Sequence, residues 1–179
     1  LRVVCLGQGR RAPTAKDPQK TGVARRIMNF MKGMITMAIV FDMDNTLTDD
    51  FGKQVRPGMN KLLTRLKKQG FPLILWTSST RGRAAEILSH HRLQPFFSKF
   101  IFREDYDPKR KNPPKDIRTV NGWFLVDDDP SQIRFLEKIP IACFQITPFR
   151  CGRNRDPEEL EQLSGPFWQP GPGRGSCVG

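Results

Sequence analysis

Cysteine and histidine are both scarce in this 179-residue chain, which has four cysteines and two histidines. The cysteines form no Cys-x-x-Cys pair and no histidine lies near them, so the usual spacing of a zinc site is missing and free thiols are expected. No uninterrupted apolar run approaches the ~20 residues of a membrane span, and the N-terminus has no signal-peptide apolar core. We therefore expect a soluble, cytoplasmic protein without a membrane partner.

Acidic residues are outnumbered, because 18 Asp and Glu stand against 30 Lys and Arg, giving a net charge of +12. Residues 1–33 hold more than half of the excess, with eight Lys or Arg against Asp17 alone. They show no sustained apolar period, which predicts a disordered basic extension that binds nucleic acid, an anionic membrane or nothing in particular. This segment also resembles an organelle-targeting peptide, and its place before Met34 and Met37 suggests an upstream extension.

A short apolar run ends directly in two acids. Ala38–Phe41 is β-branched at its centre and uncharged, which predicts a buried central strand with Asp42 and Asp44 at its carboxyl end. Active sites of open parallel sheets lie at that end. Two carboxylates in one crevice repel each other unless a cation lies between them, so the spacing suggests a divalent metal such as Mg²⁺. The alternative is a strand that ends in an ordinary acidic turn.

A second predicted strand ends in hydroxyl groups. An amphipathic helix is predicted from residue 56 onward, and the apolar residues 71–76 predict the strand after it. The strand leads into Thr77, Ser78, Ser79 and Thr80. Beside Asp42 these hydroxyls could hydrogen-bond a phosphate, although such a cluster taken alone is more often a loop or a helix N-cap.

A later strand also ends in acids. Residues 123–126 are apolar and lead into Asp127, Asp128 and Asp129. The last of these is explained as the N-cap of a helix that begins at Pro130, but the first two are not. Because parallel strands release these carboxylates at the same edge of the sheet, the metal interpretation of the first acidic pair becomes the better one.

Strand and helix signals alternate along residues 34–150, with five strands and short connections. This pattern predicts an α/β fold, a three-layer sandwich around a mostly parallel five-stranded Rossmann-like sheet. A strand is predicted at residues 100–102 and a charged loop at residues 103–111. Residues 151–179 are predicted to form a short helix and a disordered Gly/Pro-rich tail.

Four motifs follow one another: Asp-x-Asp-x-Thr-Leu, a strand ending in threonine, one particular lysine at position 115, and a strand ending in Asp-Asp. In this order they resemble the haloacid dehalogenase (HAD) superfamily of phosphohydrolases over about residues 36–148. Finer details look like the branch of carboxy-terminal-domain phosphatases and NLI-interacting-factor-like proteins. The short motifs that match this branch lie at residues 56–58, 75–79, 97–99, 102–104, 115–116 and 126–130.

The resemblance implies a phosphatase that forms an aspartyl-phosphate and needs Mg²⁺. It implies Asp42 as the nucleophile and Asp44 as the general acid and base. Thr77 and Lys115 would then contact and neutralise the phosphoryl oxygens. The implied substrate-binding residues are Thr46, Thr77, Ser78 and Lys115. The implied metal ligands are Asp42, Asp44 through its backbone carbonyl, Asp127 and Asp128.

The chain departs from that branch in two places. Members usually carry a β-rich insertion that helps to shape the peptide-binding groove, whereas only residues 48–55 lie at this point here. Asn45 stands where the branch often has Glu. Asp42 and Thr77 are 35 positions apart, and Thr77 and Lys115 are 38 apart, too few for core elements and a cap of at least ~50 residues. We therefore expect no cap domain and an open site.

An open site favours a macromolecular substrate, such as the phosphoprotein of a Ser/Thr phosphatase, because a bulky substrate can itself exclude water. The alternatives are a nucleic-acid-end phosphatase, a small-molecule phosphatase and a non-catalytic scaffold of the same fold. A nucleic-acid substrate is favoured if basic residues gather around the site. These residues are Lys53, Arg56, Arg81, Arg83, Arg103 and the run at residues 109–111.

Overall fold

The computed structural model describes residues 37–139, 141–151 and 157–163. The extension predicted at residues 1–33 and the tail predicted at residues 165–179 lie outside these residues. Within the described part of the chain, no helix combines the length and the apolar character needed to span a bilayer.

Five strands and five α-helices alternate along the described residues. The strands are β1 Ala38–Phe41, β2 Leu73–Trp76, β3 Lys99–Ile101, β4 Gly122–Asp127 and β5 Ala142–Gln145. The helices are α1 Met59–Lys68, α2 Arg81–His90, α3 Arg103–Tyr106, α4 Pro130–Lys138 and α5 Pro157–Gln162. Two short 3₁₀ turns lie at Gln94–Phe96 and Ile117–Val120.

The strands form a single sheet in the order β3–β2–β1–β4–β5, and each neighbouring pair is parallel. The predicted α/β fold with five strands is therefore confirmed. β1 lies at the centre, where Ile39 pairs in register with Leu73 of β2 and with Phe124 of β4. Every residue of β1 is buried, which explains why this run has no polar side chain.

Helices cover both faces of the sheet. Neighbouring residues of a strand point to opposite faces, so the four residues of β1 contribute to two separate apolar clusters. Phe41 shares one cluster with Leu63 of α1 and Leu88 of α2. Val40 shares the other with Leu136 of α4. These two cores fix the helices against the sheet and set the position of its carboxyl edge.

The apolar face predicted for α1 is confirmed, but the helix begins later than predicted. All four of its expected core positions are buried: Met59, Leu62, Leu63 and Leu66. Residue 56 precedes the helix instead of opening it. Gly58 is the N-cap residue and has a φ of 85°, a left-handed conformation that glycine adopts without steric cost.

The prediction was wrong around β3. The strand lies at Lys99–Ile101 rather than residues 100–102, and the predicted loop at residues 103–111 contains the helix Arg103–Tyr106. Asp105 stabilises this single turn, because its Oδ2 accepts a hydrogen bond of 2.9 Å from the backbone N–H of Phe102. A helix of one turn is too short to show an apolar period, so the pattern could not reveal it.

Between β1 and Lys115, where every residue is described, the connections at the carboxyl edge contain no cap domain. Only a short flap at residues 48–55 and α1 lie between β1 and β2, and the elements between β2 and Lys115 are equally small. An antiparallel bridge between Thr48 and Val55 closes the flap. Gly52 has a φ of 71°, and a Cβ there would lie 2.3 Å from the Ile87 side chain. Glycine thus lets the flap lie against α2.

Candidate active site

Three parallel strands bring acidic and hydroxyl side chains to one edge of the sheet. Asp42 follows β1, Thr77 follows β2 and Asp127 ends β4. All three residues are buried. The backbone N–H of Asp42 donates to the carbonyl oxygen of Val126 at 3.0 Å, which extends the pairing of β1 and β4 beyond the end of β1. The carboxylates of Asp42 and Asp127 therefore lie side by side at the ends of adjacent strands.

Lys115 lies between these two carboxylates. Its Nζ donates to Asp42 Oδ1 at 2.6 Å and to Asp127 Oδ2 at 2.7 Å, and the residue is only 3% exposed. Burial by itself lowers the pKa of Lys115, but the two carboxylates outweigh burial and raise it above its ordinary value. The backbone N–H of Lys115 donates to Gln132 Oε1 on α4 at 2.8 Å, which anchors the loop that delivers the ammonium group.

The site carries more negative charge than one ammonium group can neutralise. Asp42, Asp127 and Asp128 each offer a carboxylate oxygen, and these oxygens lie within 4.8 Å of one another. Burial raises the pKa of Asp42 to about 8; Lys115 opposes this shift and the neighbouring carboxylates add to it. Burial and the charge of Asp127 likewise raise the pKa of Asp128 to about 6.

This charge balance bears on the metal. When all three carboxylates are ionised, the single ammonium of Lys115 leaves two net negative charges, the amount that one divalent cation balances. Carboxylate oxygens are also the hard ligands that Mg²⁺ prefers. The residues present therefore fit such an ion, and the described structure contains an acidic cluster at the predicted position.

The predicted metal ligands have different surroundings. Asp127 uses both carboxylate oxygens, one for Lys115 and the other, Oδ1, for the backbone N–H of Asp129 at 2.9 Å. Asp128 Oδ1 accepts a longer bond of 3.4 Å from Thr46 Oγ1. The Asp44 carboxylate is not part of the three-residue cluster, so its backbone carbonyl remains the atom predicted to bind the ion.

The carboxylate of Asp44 is held by two side chains near the start of α2. Ser79 Oγ donates to Asp44 Oδ2 at 2.6 Å, and Arg83 Nη1 forms an ion pair with Asp44 Oδ1 at 2.6 Å. Neither partner was among the predicted site residues. Ser79 belongs to the cluster of hydroxyl residues predicted at the end of β2. Arg83 was named only as one of several basic residues that could bind nucleic acid.

The predicted substrate-binding hydroxyls differ in their exposure. Thr77 is fully buried, and its Oγ1 accepts a hydrogen bond of 3.0 Å from the backbone N–H of Ser79. Thr46 is also fully buried and donates to Asp128. Ser78 is exposed. The structure thus places Thr46 against Asp128 and Thr77 at the end of β2, the neighbour of β1, and leaves Ser78 at the surface of the loop.

Two of the basic residues that would mark a nucleic-acid site have partners inside the protein. Arg56 is buried and donates to three backbone carbonyl oxygens, those of Asn45, Thr46 and Thr147. Arg81 forms an ion pair with Asp105 at 2.5 Å. Residues 109–111 are exposed. Within the described contacts, Arg83 is the member of this set that touches a predicted catalytic side chain.

Solved structures with the same fold are distant in sequence. A protein from Thermotoga maritima, provisionally assigned as a beta-phosphoglucomutase, has a TM-score of 0.53 and 15% identity over 70% of this chain and 90% of its own. A HAD-superfamily hydrolase from Ehrlichia chaffeensis has a TM-score of 0.50 and 13% identity, over 60% of this chain and 86% of its own. A predicted phosphatase from Clostridium acetobutylicum has a TM-score of 0.50 and 16% identity, over 71% of this chain and 90% of its own. These similarities show a HAD-like fold.

Sequence comparison identifies the family. No curated protein is similar enough to the chain to count as a match. Residues 37–167, well over half of the chain, match the family described as NLI interacting factor-like phosphatase. This span contains the acids, the hydroxyls and the lysine of the carboxyl edge. The chain therefore belongs to the NLI interacting factor-like phosphatase family.

Proposed function

We propose that this phosphatase is a Mg²⁺-dependent phosphomonoester hydrolase that forms an aspartyl-phosphate on Asp42. The observation that carries the proposal is the buried Lys115 ammonium, which bridges Asp42 and Asp127 beside the third carboxylate of Asp128. A carboxylate aligned by a fixed cation is suited to attack phosphorus, because the charge that develops meets groups already in place.

In the first half-reaction, one carboxylate oxygen of Asp42 attacks phosphorus. A new P–O bond forms while the bond from phosphorus to the leaving oxygen breaks, and Asp44 gives its proton to that leaving oxygen. Lys115 and the hydroxyl of Thr77 stabilise the charge on the other phosphoryl oxygens. The products are the free alcohol and the phosphorylated Asp42.

In the second half-reaction, water attacks the phosphorylated Asp42. Asp44, now a carboxylate, takes a proton from the water as its oxygen bonds to phosphorus. The bond between phosphorus and the Asp42 oxygen breaks, and inorganic phosphate leaves. Asp42 is regenerated as a carboxylate and Asp44 is protonated again, so the next cycle can begin.

The metal ligands in this proposal are Asp42, Asp128 and the backbone carbonyl of Asp44, and Asp127 either binds the ion directly or lies next to these ligands. When bound, Mg²⁺ would neutralise the carboxylates and the phosphate and would orient the phosphoryl group. The supporting observation is the cluster of three carboxylates beside Lys115. Burial, with the charge of the neighbouring carboxylates added to it, raises the pKa values of Asp42 and Asp128.

The proposed substrate is a phosphoprotein, and a nucleic-acid end is the second candidate. The described elements at this edge form no cap, which leaves room for a polymer that excludes water on binding. Arg56 and Arg81 are engaged in internal contacts, so less positive charge is free to follow a nucleic-acid backbone. A cytoplasmic location is part of the proposal.

Hydrolysis of an aryl phosphate with and without Mg²⁺ is the first test, followed by panels of phosphopeptides, nucleotides and 3′- or 5′-phosphorylated oligonucleotides. We expect phosphate release that depends on Mg²⁺. Borohydride reduces an acyl phosphate to an alcohol, so trapping during turnover should convert Asp42 to homoserine, detectable by mass spectrometry. An absence of turnover under all conditions would support the scaffold instead.

A further inference from the structure

The carboxylate of Asp44 has a side-chain partner on each of its oxygens. Ser79 Oγ donates to Oδ2 at 2.6 Å, and Arg83 Nη1 lies 2.6 Å from Oδ1. The Asp44 side chain is 23% exposed, so it lies at the mouth of the site rather than in its interior. The proposed mechanism uses Asp44 but gives no role to either partner.

The guanidinium of Arg83 makes two further contacts. Its Nη1 donates to Ser79 Oγ, and its Nη2 donates to the backbone carbonyl of Asp50 in the flap at 3.1 Å. Arg83, Ser79 and Asp44 therefore form a closed triangle of polar contacts, and the flap is attached to it. Because Ala84, the next residue of α2, is fully buried, the triangle rests on a helix that is fixed to the core.

We propose that Arg83 is a positioning residue that holds the Asp44 carboxylate in the orientation needed for proton transfer. The inference rests on the proposed role of Asp44 as general acid and base. Such a group must lie within hydrogen-bond reach of the leaving oxygen, and an unrestrained carboxylate at the mouth of the site would rotate away. A carboxylate has about four acceptor positions, so the two partners leave room for the substrate.

Arg81 is a matched control two residues earlier on the same helix. Its guanidinium pairs with Asp105 at 2.5 Å and lies over the ring of Phe102, with 4.6 Å between the guanidinium carbon and the ring centroid. In the described contacts its side chain does not touch Asp44. Replacing Arg81 removes the same charge from the same helix without disturbing the triangle.

The experiment compares Arg83→Gln, Arg83→Lys and Arg81→Gln in the full chain with Mg²⁺, using p-nitrophenyl phosphate and phenyl phosphate. Nitrophenolate leaves readily without a proton, whereas the more basic phenolate needs the general acid. We expect Arg83→Gln to lower kcat/KM for phenyl phosphate, which reports the first half-reaction, about 10- to 100-fold. This loss is smaller than the full ~10²- to 10⁴-fold effect of general acid catalysis, because Ser79 still contacts the carboxylate. The loss for p-nitrophenyl phosphate should be smaller, with KM nearly unchanged.

The controls separate positioning from folding and from binding. Arg83→Lys should recover part of the kcat/KM, and Arg81→Gln should behave as the wild type. If Arg83→Gln does not fold, Ser79→Ala is the second variant. It removes the hydrogen bond from Ser79 to Asp44 and should show the same dependence on the leaving group. Equal losses of kcat/KM for both esters, a change confined to KM, or wild-type kinetics in Arg83→Gln would each overturn the inference.

The proposed function can fail separately. If Asp44→Asn hydrolyses both esters as fast as the wild type, Asp44 is not the acid, and the proposed mechanism and the inference both fall. If Asp44→Asn is inactive while Arg83→Gln is unaffected, the mechanism stands and only the positioning role of Arg83 is wrong.

Discussion

Arg56 Nη2 lies 2.5 Å from the backbone carbonyl oxygen of Thr147, a residue 91 positions later in the chain. The same guanidinium donates to the carbonyl oxygens of Asn45 and Thr46 and pairs with Glu159 at 3.3 Å. One buried side chain thus joins the loop after β1 to the segment after β5 and to α5. It holds the backbone that carries the proposed acid.

Arg56→Met should lower the free energy of unfolding by about 2–5 kcal/mol, because three carbonyl oxygens lose their donor and Glu159 loses its charged partner. Chemical denaturation followed by circular dichroism measures the change. Arg65→Met, at an exposed position of α1, is the control and should shift stability by less than about 0.5 kcal/mol. Equal stability of the two variants would show that the contacts of Arg56 contribute little.

Asp42→Asn should abolish turnover while the fold remains intact, because the amide is nearly isosteric with the carboxylate but is a poor nucleophile. Without Mg²⁺ the midpoint of thermal unfolding should stay unchanged or rise, since the substitution removes one of the crowded negative charges. Glu86→Gln, an exposed substitution on α2, is the control and should keep full activity. Activity of Asp42→Asn within about tenfold of the wild type would remove Asp42 from the role of nucleophile.

The metal-free protein should lose stability as the pH rises from about 4 to about 8. The pKa of Asp42 is raised to about 8 and that of Asp128 to about 6, both above the ordinary value of 3.8. In this window the folded state binds protons that the unfolded state has released. The resulting stability is complete below the ordinary pKa and is lost as the pH passes through the two raised values.

Thermal unfolding in the presence of a chelator, measured in steps from pH 4 to pH 8, follows this loss. Asp42→Asn should flatten the profile because it removes the group with the higher pKa. Mg²⁺ should stabilise the wild type more at pH 8 than at pH 5, since at low pH it competes with bound protons. Profiles of equal slope for the wild type and the variant would contradict the prediction.

Small phosphate esters should bind weakly. Without a cap they gain little beyond contacts to the phosphate and the metal, so KM should lie in or above the upper part of the usual ~1 μM to 1 mM range. The right polymer gains remote contacts, and kcat/KM should rise by orders of magnitude. For nucleic acid this gain should fall steeply with salt, whereas a phosphopeptide should show a weaker dependence.

Kinetics with one aryl phosphate, one phosphopeptide set and one oligonucleotide set at two salt concentrations test this prediction. The aryl phosphate is the reference, because its kcat/KM should change little with salt. A low-micromolar KM for a small metabolite that is insensitive to salt would contradict the macromolecular substrate. It would also mean that the flap and its neighbours enclose the site.

The elements that could be predicted from the sequence have local signals. The apolar run of β1 and the acids after it lie within a few residues, and α4 begins at Pro130 with Asp129 as its N-cap, as its side-chain bond to Ser131 shows. The start of α1 and the single turn of α3 were missed, because each depends on one backbone conformation or one capping bond.

The composition of the edge follows from the order of residues along the chain: two strands end in acids, one ends in hydroxyls, and a lysine lies between them in the chain. Which of these groups come into contact depends on how the strands and helices pack. Ser79 rather than Ser78 reaches Asp44, because adjacent loop residues point in different directions. Arg83 pairs with Asp44 only because β2 lies beside β1 and places the start of α2 next to the acid. Backbone carbonyl oxygens, the partners of Arg56, are present at every residue, so no pattern of side chains could have revealed that contact.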